Sequence, residues 1–386
     1  MKISVFVVFF SVVLTIYSLI NFYIYRHGLY ALPSEGKVRM VYSIVFGVLF
    51  IAYIAGRFME RAQWFNLASV FTFTGSFWLA AIFYFFLLVL IFDVFQLLNA
   101  GLHFLPAFLF ADFAKTKLIL FLSACIISFS LITAGFINAS SPRIKKLDIN
   151  LNKKAGELSS LNIVMVSDIH IGTLIGYRKV EKLVNHINRL KPDMVLFAGD
   201  VIDEELSVVL HYNMGAPLKK LNAPLGVYAI TGNHEYIGGA EAAVRYLESL
   251  NIKMLRDTCV TVSGAFNLAG REDRDISRFS GKKRKNLEEI IKDADTALPL
   301  ILLDHQPFRL DLTEKCGVDI QLSGHTHHGQ IFPLNFLTRK IYENSWGYLK
   351  KGNSHIYVSC GYGTWGPPIR LGNRPEIVQL RVKFKG

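Results

Sequence analysis

The first part of the sequence has few charged residues. Before about Ala139 the charges lie mainly at the ends of apolar runs, whereas the remainder has the mixed pattern of a globular domain. The chain of 386 residues is 52% hydrophobic and contains 30 Phe, which is too apolar for an ordinary soluble protein. A soluble helical bundle is excluded for the first part, because its helices would need a polar face. Since a central Lys or Asp costs about 2.5 to 3.5 kcal/mol on insertion, the scarcity of charge predicts membrane insertion.

Cysteine is scarce as well. Of the 4 cysteines, Cys125 lies in an apolar run, and Cys259, Cys316 and Cys360 show no CxxC spacing. A Cys-rich structural zinc site and a disulfide framework are therefore not indicated. No nucleic-acid-binding motif accompanies the net charge of +12, and we expect no nucleic-acid partner. The positive charge suits contact with membrane lipid or with a phosphorylated substrate.

Apolar runs in the first part predict about four membrane-spanning helices. Each run is about as long as a helix that rises 1.5 Å per residue needs to cross a ~30 Å hydrocarbon core. The first begins like a signal peptide, but no small-residue cleavage site follows, so we expect it to be retained. A further segment, Leu98–Phe110, is broken by polar residues, Gly and Pro, and is expected to be interfacial or re-entrant. The predicted spans are Val5–Tyr25, Val38–Ala55, Phe71–Phe92 and Leu118–Phe136.

The basic residues near the ends of these spans predict the orientation. With about four spans, both ends of the region lie on one side of the membrane. The positive-inside rule favours that side, and with it the C-terminal domain, as cytoplasmic. Its basic residues are Lys2, Arg57, Arg61, Arg143, Lys145 and Lys146, against Arg26, Lys37, Arg39, Lys115 and Lys117 opposite.

Three regions follow from the change in composition. Residues 1–140 are predicted to be the transmembrane region, and 141–158, which begins with Ser141-Pro142 and is basic and polar, a linker. Residues 159–386 are long enough to bury one sizeable core. In them, strand-like and helical patterns alternate, which predicts an α/β layered fold with its site at the carboxyl ends of the strands. The predicted helices are Arg178–Leu190 and Ala240–Leu250, and the predicted strands are Leu161–Val166, Asp193–Ala198, Leu225–Ile230, Leu298–Leu303, Val318–Leu322 and His355–Ser359.

Side chains that bind metals follow directly after several of these strands. His325 and His327 form an i, i+2 pair, and the flanking Gly324 and Gly329 would let the backbone pass close to an ion. Mixed Asp, Asn and His ligands suit Mn²⁺, Fe or Zn²⁺. The set is larger than one ion with an open position needs, so we expect two divalent metal ions that share the carboxylate of Asp200. The predicted ligands are Asp168, His170, Asp200, Asn233, His305, His325 and His327.

The order of these motifs resembles the calcineurin-like metallophosphoesterase superfamily. The series is Asp-x-His, Gly-Asp-x-x-Asp, Gly-Asn-His-Glu, His and Gly-His-x-His, between Asn162 and about Phe332. The tail from Gly363 resembles a membrane-anchored branch similar to UDP-2,3-diacylglucosamine pyrophosphatases. The resemblance implies a layered β-sandwich with flanking helices. It also implies that one ion takes Asp168, His170, Asp200 and His327, and the other Asp200, Asn233, His305 and His325.

The resemblance leaves His234 free of metal, with Asp203 orienting it. The two ions would hold a phosphoryl group and activate a hydroxide for in-line attack, while His234 as general acid protonates the leaving oxygen. We therefore expect hydrolysis of a phosphodiester or pyrophosphate bond, in a lipid-linked substrate because the anchor confines the enzyme to the membrane. Two other functions remain open: a phosphodiesterase of a small soluble substrate, and a non-catalytic membrane receptor for a phosphoryl ligand.

A few further residues are candidates for contacts with substrate. Arg271 and Arg370 could hold a diphosphate bidentately, or form surface ion pairs. His328 stands where relatives in this branch often have Gly, and would line the substrate entrance or face solvent. Glu204 stands where serine/threonine protein phosphatases carry a phosphate-binding Arg, which argues against that activity. Trp365, in the Gly/Pro-rich tail, would cover the site or belong to the core.

Overall fold

The computed structural model describes residues 3–34, 36–106 and 111–385, and the chain divides into two compact units. One unit comprises Met1–Phe136 with Gly366–Ile369. The other comprises Ile137–Trp365 with Arg370–Gly386. The first unit is helical and the second is a mixed α/β sheet domain.

Long apolar helices form the first unit. In the part of the chain that the structure describes, α2, α3 and α4 are long and apolar enough to cross a membrane. The first helix, α1, has 29 residues and contains the predicted span Val5–Tyr25, whose crossing of a membrane stays a prediction. The bounds are α1 Ile3–Ala31, α2 Gly36–Arg61, α3 Phe65–Leu102 and α4 Phe113–Ala139.

Helix α3 is longer than the sequence predicts. It has 38 residues and ends at Leu102, so the start of the segment expected to be interfacial or re-entrant is regular helix. Asn99, expected to break the apolar run, lies in the last turn of the helix, where its backbone O accepts from His103 N–H (2.9 Å) and its Oδ1 accepts from the backbone N–H of Leu105 just beyond the helix (2.7 Å). Residues 107–110 of that segment lie outside the described residues.

Helices α2 and α3 approach closely through glycine. A Cβ at Gly75 would lie 2.2 Å from the backbone nitrogen of Tyr53, and one at Gly56 would lie 2.5 Å from that of Thr72. Beside this contact the buried Glu60 accepts a hydrogen bond from Thr72 Oγ1 (3.1 Å) and pairs with Arg57 (2.6 Å). Small residues at such contacts are typical of helix packing in membranes.

The second unit contains two six-stranded sheets. One has the strand order β1-β12-β2-β3-β4-β5, and the other β10-β11-β9-β8-β7-β6. Strands β2 to β5 run parallel, as do β7, β8, β9 and β11. The strands are β1 Arg143–Leu151, β2 Ser160–Val166, β3 Met194–Ala198, β4 Val227–Ile230, β5 Lys253–Met254, β6 Thr258–Val262, β7 Phe266–Gly270, β8 Leu300–Leu303, β9 Ile320–Ser323, β10 Gly347–Lys351, β11 Ser354–Val358 and β12 Glu376–Phe384.

Side chains from both sheets form one core. Buried residues of β2 and β3, such as Ile163 and Leu196, share a cluster with Leu268, Ile301 and Leu322 of the other sheet. Helices cover the outer faces, and the predicted strands and helices of this domain are confirmed with small shifts at their ends. The α/β layered sandwich is thus confirmed. The helices are α5 Tyr177–Arg189, α6 Leu206–His211, α7 Asn233–Gly238, α8 Ala240–Glu248, α9 Ile276–Ser280, α10 Leu287–Ile291, α11 Leu310–Lys315 and α12 Leu334–Ile341.

Strand β1 lies in the segment 141–158 that was expected to be a linker. It pairs in parallel with β12 over its whole length, from Arg143 opposite Glu376 to Leu151 opposite Phe384. Lys145 and Lys146 are exposed, whereas Ile149 and Leu151 are buried in the core. The Lys residues that suggested a polar linker therefore belong to the exposed first half of an edge strand.

The core position of β12 gives a test of this packing. Leu380 is fully buried, so replacing it with Ala should lower the free energy of unfolding by about 2 to 5 kcal/mol. The neighbouring Arg381 is exposed and pairs with the exposed Asp148, so Arg381→Ala should change the free energy of unfolding by less than about 0.5 kcal/mol. Urea unfolding of the full chain in detergent measures both. Equal effects of the two substitutions would contradict the strand placement.

Candidate metal centre

The loops that carry the predicted ligands meet at the carboxyl ends of the parallel strands. They follow β2, β3, β4, β8 and β9. Backbone hydrogen bonds join neighbouring loops: Asp168 N–H donates to Gly199 O (3.1 Å) and His170 N–H to Asp200 O (3.0 Å). Gly324 N–H donates to His305 O (2.9 Å) in the second sheet. The two sheets thus bring ligands from both halves of the sandwich to one place, as expected for carboxyl ends of parallel strands.

A first group of ligand atoms comes from Asp168, His170 and His327, which lie within 4.8 Å of one another. Nε2 of His170 lies 3.1 Å from Nε2 of His327, and the latter is 3.5 Å from Asp168 Oδ1. Oδ2 of Asp168 and Nδ1 of His170 are buried without a hydrogen-bond partner among the described residues. Buried donors and acceptors without partners are costly, and a cation would satisfy the carboxylate.

A second group comes from Asp200, His305 and His325, also within 4.8 Å. Oδ1 of Asn233 belongs to it, because it lies 2.8 Å from His325 Nδ1 and 3.3 Å from His305 Nε2. The other ring nitrogen of His305, Nδ1, contacts the carbonyl oxygen of Ala198 (2.7 Å). A second contact of this kind commonly fixes the orientation of a metal-binding imidazole.

Asp200 lies between the two groups. Its Oδ2 is 3.1 Å from His305 Nε2 in the second group and 3.9 Å from His170 Nε2 in the first. Its Oδ1 accepts a hydrogen bond from the backbone N–H of His234 (2.9 Å). The carboxylate is fixed on one side and faces both groups on the other, which is the arrangement required of a shared ligand.

The backbone of the ligand residues is held in an uncommon conformation. The φ angles are 52° at Asp168, 53° at His170, 52° at Asp200, 71° at His325 and 44° at His327. A residue other than Gly in this left-handed region costs of order 1 to 3 kcal/mol, and such residues cluster at functional sites. The fold therefore accepts strain at the positions that direct these side chains inward.

The protonation states of the proposed ligands differ. Burial raises the pKa of Asp168, and although burial opposes protonation of His305, Asp200 outweighs it and raises the pKa of His305 well above its ordinary value, so a metal would displace a proton from each of these two. The other shifts favour metal binding. Burial, with His305 nearby, lowers the pKa of His325 to about 3, and burial, with His170 and Arg370 nearby, lowers the pKa of His327 well below its usual value. Both rings are then neutral, the form that binds a metal. Burial raises the pKa of Asp200, but His305 and His234 outweigh it and leave that pKa well below its ordinary value. These oxygen and nitrogen donors fit two divalent cations of the Mn²⁺, Fe or Zn²⁺ class.

Gly324 and Gly329 differ in what they contact. A Cβ at Gly324 would lie 2.4 Å from Asp168 Oδ2, so the absence of a side chain here leaves room for this carboxylate of the first group. A Cβ at Gly329, which has a φ of 74°, would lie 2.5 Å from the backbone nitrogen of Asn335. Gly329 therefore admits the start of α12, and not an ion.

His234 lies beside the two groups. Its Nδ1 is 3.0 Å from Asp203 Oδ1, and its ring contacts His170 edge to face, with centroids 4.5 Å apart. Burial opposes protonation, but Asp200 and the hydrogen bond to Asp203 outweigh it and raise the pKa of His234 to about 9. Atoms of His170, Asp203 and His234 also lie within 4.8 Å of one another. Because Nε2 of His170 faces His327, we assign His170 to the first group.

The Glu235 carboxylate was missed as a functional residue. It is buried and accepts hydrogen bonds from the backbone N–H groups of Asp200 (3.1 Å), Ile202 (2.8 Å) and Gly232 (2.7 Å). It therefore ties the loop of Asp200 to the start of α7, which carries Asn233. In the Gly-Asn-His-Glu motif, Glu235 is at the third helical position, where a carboxylate can accept a hydrogen bond from the backbone N–H of the N-cap residue. This capping pattern could have identified Glu235 from the sequence.

Arg370 and Arg271, predicted to bind substrate, are engaged elsewhere. Arg370 is fully buried, and its donors reach Gly363 O (3.1 and 2.6 Å) and Asn373 Oδ1 (2.7 Å). Its Nη2 lies 3.2 Å from Nδ1 of His327, so Arg370 supports His327 from behind. Arg271 is buried and pairs with Asp304 (3.0 Å). Spacing alone did not reveal the contacts with His327 and Asp304, because both lie far in sequence from these arginines.

His328 is neither at the entrance nor in solvent. It is only 3% exposed, with Nδ1 3.0 Å from Ser345 Oγ and its ring 5.0 Å from that of Trp346. Trp365, by contrast, is 56% exposed, and its ring centroid lies 6.1 Å from that of His234. The tail therefore does reach the site through Trp365.

Removing the Glu235 carboxylate should weaken metal binding. Glu235→Ala releases the Asp200 loop, and loss of such a supporting group costs about 10- to 100-fold in metal affinity. Glu235→Gln keeps one acceptor and should lose less. Calorimetric titration of the metal-depleted full chain with Mn²⁺ measures the affinity. Circular dichroism shows whether each variant is folded. An unchanged affinity in folded Glu235→Ala would refute the role given to this residue.

Comparison with known proteins agrees with this geometry. A family model described as calcineurin-like phosphoesterase matches residues 161–329. An uncharacterized metallophosphoesterase of Helicobacter pylori is 36% identical over 247 residues, which cover 62% of this chain and 64% of the relative. One of Campylobacter jejuni is 31% identical over 402 residues, covering 99% of this chain and 100% of the relative. A transmembrane protein with metallophosphoesterase domain of Bos taurus is 35% identical over 275 residues, which cover 67% of this chain and 61% of the relative.

The extent of these matches differs. The chain spans 64% of the length of the Helicobacter relative, but the match to the Campylobacter relative runs over the full length of that protein. The family model begins in β2 and ends with the His327 loop, so it contains every predicted ligand. The chain belongs to the calcineurin-like metallophosphoesterase family.

Proposed function

We propose that the protein is a membrane-anchored two-metal phosphoesterase that hydrolyses a phosphodiester or pyrophosphate bond. The single observation that carries the proposal is the position of Asp200, whose Oδ2 faces His305 at 3.1 Å and His170 at 3.9 Å. A ligand between two groups of donors supports a pair of cations. Two cations of this kind, when bound, hold phosphoryl oxygens and supply a water whose pKa falls to about 7.

The residues around the cations divide into two sets. Asp168, His170 and His327 would hold one ion and Asn233, His305 and His325 the other, with Asp200 shared. Arg271 is paired with Asp304, and Arg370 donates to Gly363 O. Neither of the two arginines predicted to bind a diphosphate is therefore available to bind substrate. Binding of the phosphoryl group would then depend on the metal centre.

His234 is proposed as the general acid. Nδ1 of His234 faces Asp203, so a proton held on Nε2 is the one that can pass to the leaving oxygen. Asp203 orients the ring and stabilises its protonated form, as a carboxylate does in other acid–base pairs. A receptor that only binds a phosphoryl ligand would not need such a pair, and this argues for an enzyme.

The membrane region supports a lipid-linked substrate. Helices α2, α3 and α4 can each cross a bilayer, and we infer a multi-pass protein whose catalytic domain is on the cytoplasmic side. An enzyme confined to the bilayer meets substrates that are themselves held there. The alternative within enzymes is a small soluble phosphodiester, for which the helices serve as an anchor only.

Replacement of Asp200 tests the activity and the substrate class together. Membranes containing active protein or Asp200→Asn are incubated with Mn²⁺, and their lipids are extracted and compared by mass spectrometry. We expect a phosphorylated lipid that disappears only with the active protein. If no lipid changes but bis(p-nitrophenyl) phosphate is hydrolysed, the soluble-substrate alternative is correct. If neither is hydrolysed, the receptor is favoured.

The leaving group tests His234. His234→Ala should lower kcat by about 10²- to 10⁴-fold for a phosphodiester with a poor, aliphatic leaving group. The loss should be much smaller for p-nitrophenol, which leaves without a proton, and metal content should not change. His186→Ala, a substitution outside the site, is the control. An equal loss with both leaving groups would contradict a role as general acid.

A further inference from the structure

A group of large apolar side chains is exposed on and next to α12. We call it the α12 patch; exposed fractions are 49% for Phe332, 38% for Leu334, 54% for Phe336, 55% for Leu337 and 53% for Ile341. The rings of Phe332 and Phe336 contact each other edge to face, with centroids 5.8 Å apart. Contiguous exposed apolar surface of this kind marks an interaction site.

The α12 patch has the pattern of a helix face that normally lies in a core. Leu334, Leu337 and Ile341 are spaced i, i+3, i+7, which places them on one side of the helix. The side chain turned to the protein is that of Asn335, which is buried. The amphipathic helix therefore packs with a polar residue inward and its apolar face outward. That inversion is expected where an apolar partner covers the face.

The α12 patch is attached directly to the metal centre. Helix α12 starts five residues after Gly329, whose lack of a side chain admits the nitrogen of Asn335. Between them, the Gln330 side chain donates to Trp365 O (2.9 Å) and accepts from Trp365 N–H (3.0 Å). Trp365 is itself exposed and lies beside His234. An occupant of the patch would thus lie near the place where substrate meets the proposed acid.

Charge next to the patch indicates the chemistry of that occupant. Arg339 and Lys340, on the same helix, are both exposed. At 100° per residue, Phe336 lies between Arg339 and Lys340 on the helix surface, so the exposed face combines apolar and cationic side chains. Such a face suits the interface of a bilayer with anionic lipid, where long cationic side chains reach the headgroups while apolar side chains enter the bilayer. Exposed Trp residues, such as Trp365, are also enriched at that interface.

We propose that the α12 patch inserts into the surface of a bilayer that contains anionic lipid, so that the metal centre faces the headgroup region. The inference deepens the proposed function, since it identifies how a lipid-linked phosphoryl group would reach the site. A domain whose own chain carries membrane helices is already at a high effective concentration near the bilayer. The patch then needs only a small affinity of its own.

Spin labelling of the full chain in nanodiscs tests the proposal without any activity measurement. A nitroxide is placed at Leu337→Cys or at Leu210→Cys, a control whose side chain in α6 is equally exposed, at 54%. Chain without either substitution, treated with the same label, gives the background from native cysteines. In discs of phosphatidylcholine and phosphatidylglycerol, the label at position 337 should meet oxygen more often than a nickel chelate. The label at 210 should show the reverse.

Two other outcomes overturn the proposal, and a third separates it from the proposed function. Equal access of the nickel chelate to positions 337 and 210 would mean that the patch stays in water. Protection of position 337 from both reagents, with dipolar coupling between labels on two chains, would mean that a second copy covers it. A bilayer signal at 337 in protein that hydrolyses neither lipid nor soluble phosphodiester would uphold the patch and refute the proposed function.

Activity gives a second readout. Leu337→Gln should lower hydrolysis of an amphipathic phosphodiester in vesicles several-fold, and leave hydrolysis of soluble bis(p-nitrophenyl) phosphate unchanged. Leu210→Gln should change neither. A loss of both activities in Leu337→Gln would show damage to the domain, and unchanged vesicle activity would argue against the inserted patch.

Discussion

The metal centre depends on one buried carboxylate placed between two groups of imidazoles. Asp200 is 1% exposed, and removing such a charge from water is costly unless it is paired. Its Oδ1 is satisfied by the N–H of His234, which leaves Oδ2 for the site. Around it, Asp168 and His170 have atoms without hydrogen-bond partners among the described residues, and strained backbone at five of the ligand positions directs their side chains inward. This burial of charge and this backbone strain cost free energy, which bound cations or substrate would offset. The cost links the fold to the proposed chemistry.

The sandwich supplies the rigidity that this arrangement needs. Ligands come from both sheets, and the hydrogen bonds between loops keep their relative positions independent of any ion. Glu235 joins the Asp200 loop to α7, while Arg370 and Asn373 hold His327 from behind, with Asn373 Nδ2 donating to His327 O (2.7 Å). Buried supports of this kind keep the ligand side chains together. They also explain why the two arginines expected to bind phosphate are not free to do so.

The strands that carry the candidate ligands are predicted well, because they depend on local patterns, whereas β12 and β7, which lie inside the two sheets, are not predicted. Apolar runs mark the buried strands, and Asp, Asn and His directly after them mark the site. Strand β1 escaped prediction because Lys145 and Lys146 dominate its composition, although its pairing with β12 is set by residues more than 200 positions away. The contact of Arg370 with His327 and the burial of His328 against Ser345 are of the same kind, since those partners lie in other loops. The outward apolar face of α12 is likewise not distinguishable in sequence from a core-facing one.

Electron paramagnetic resonance of the Mn²⁺-loaded full chain tests the shared role of Asp200 most directly. Two Mn²⁺ ions bridged by one carboxylate should give the spectrum of an exchange-coupled pair. Asp200→Asn should lose the coupling and show only isolated ions, or bind less metal. A wild-type spectrum of isolated Mn²⁺, with one ion per chain, would contradict the account.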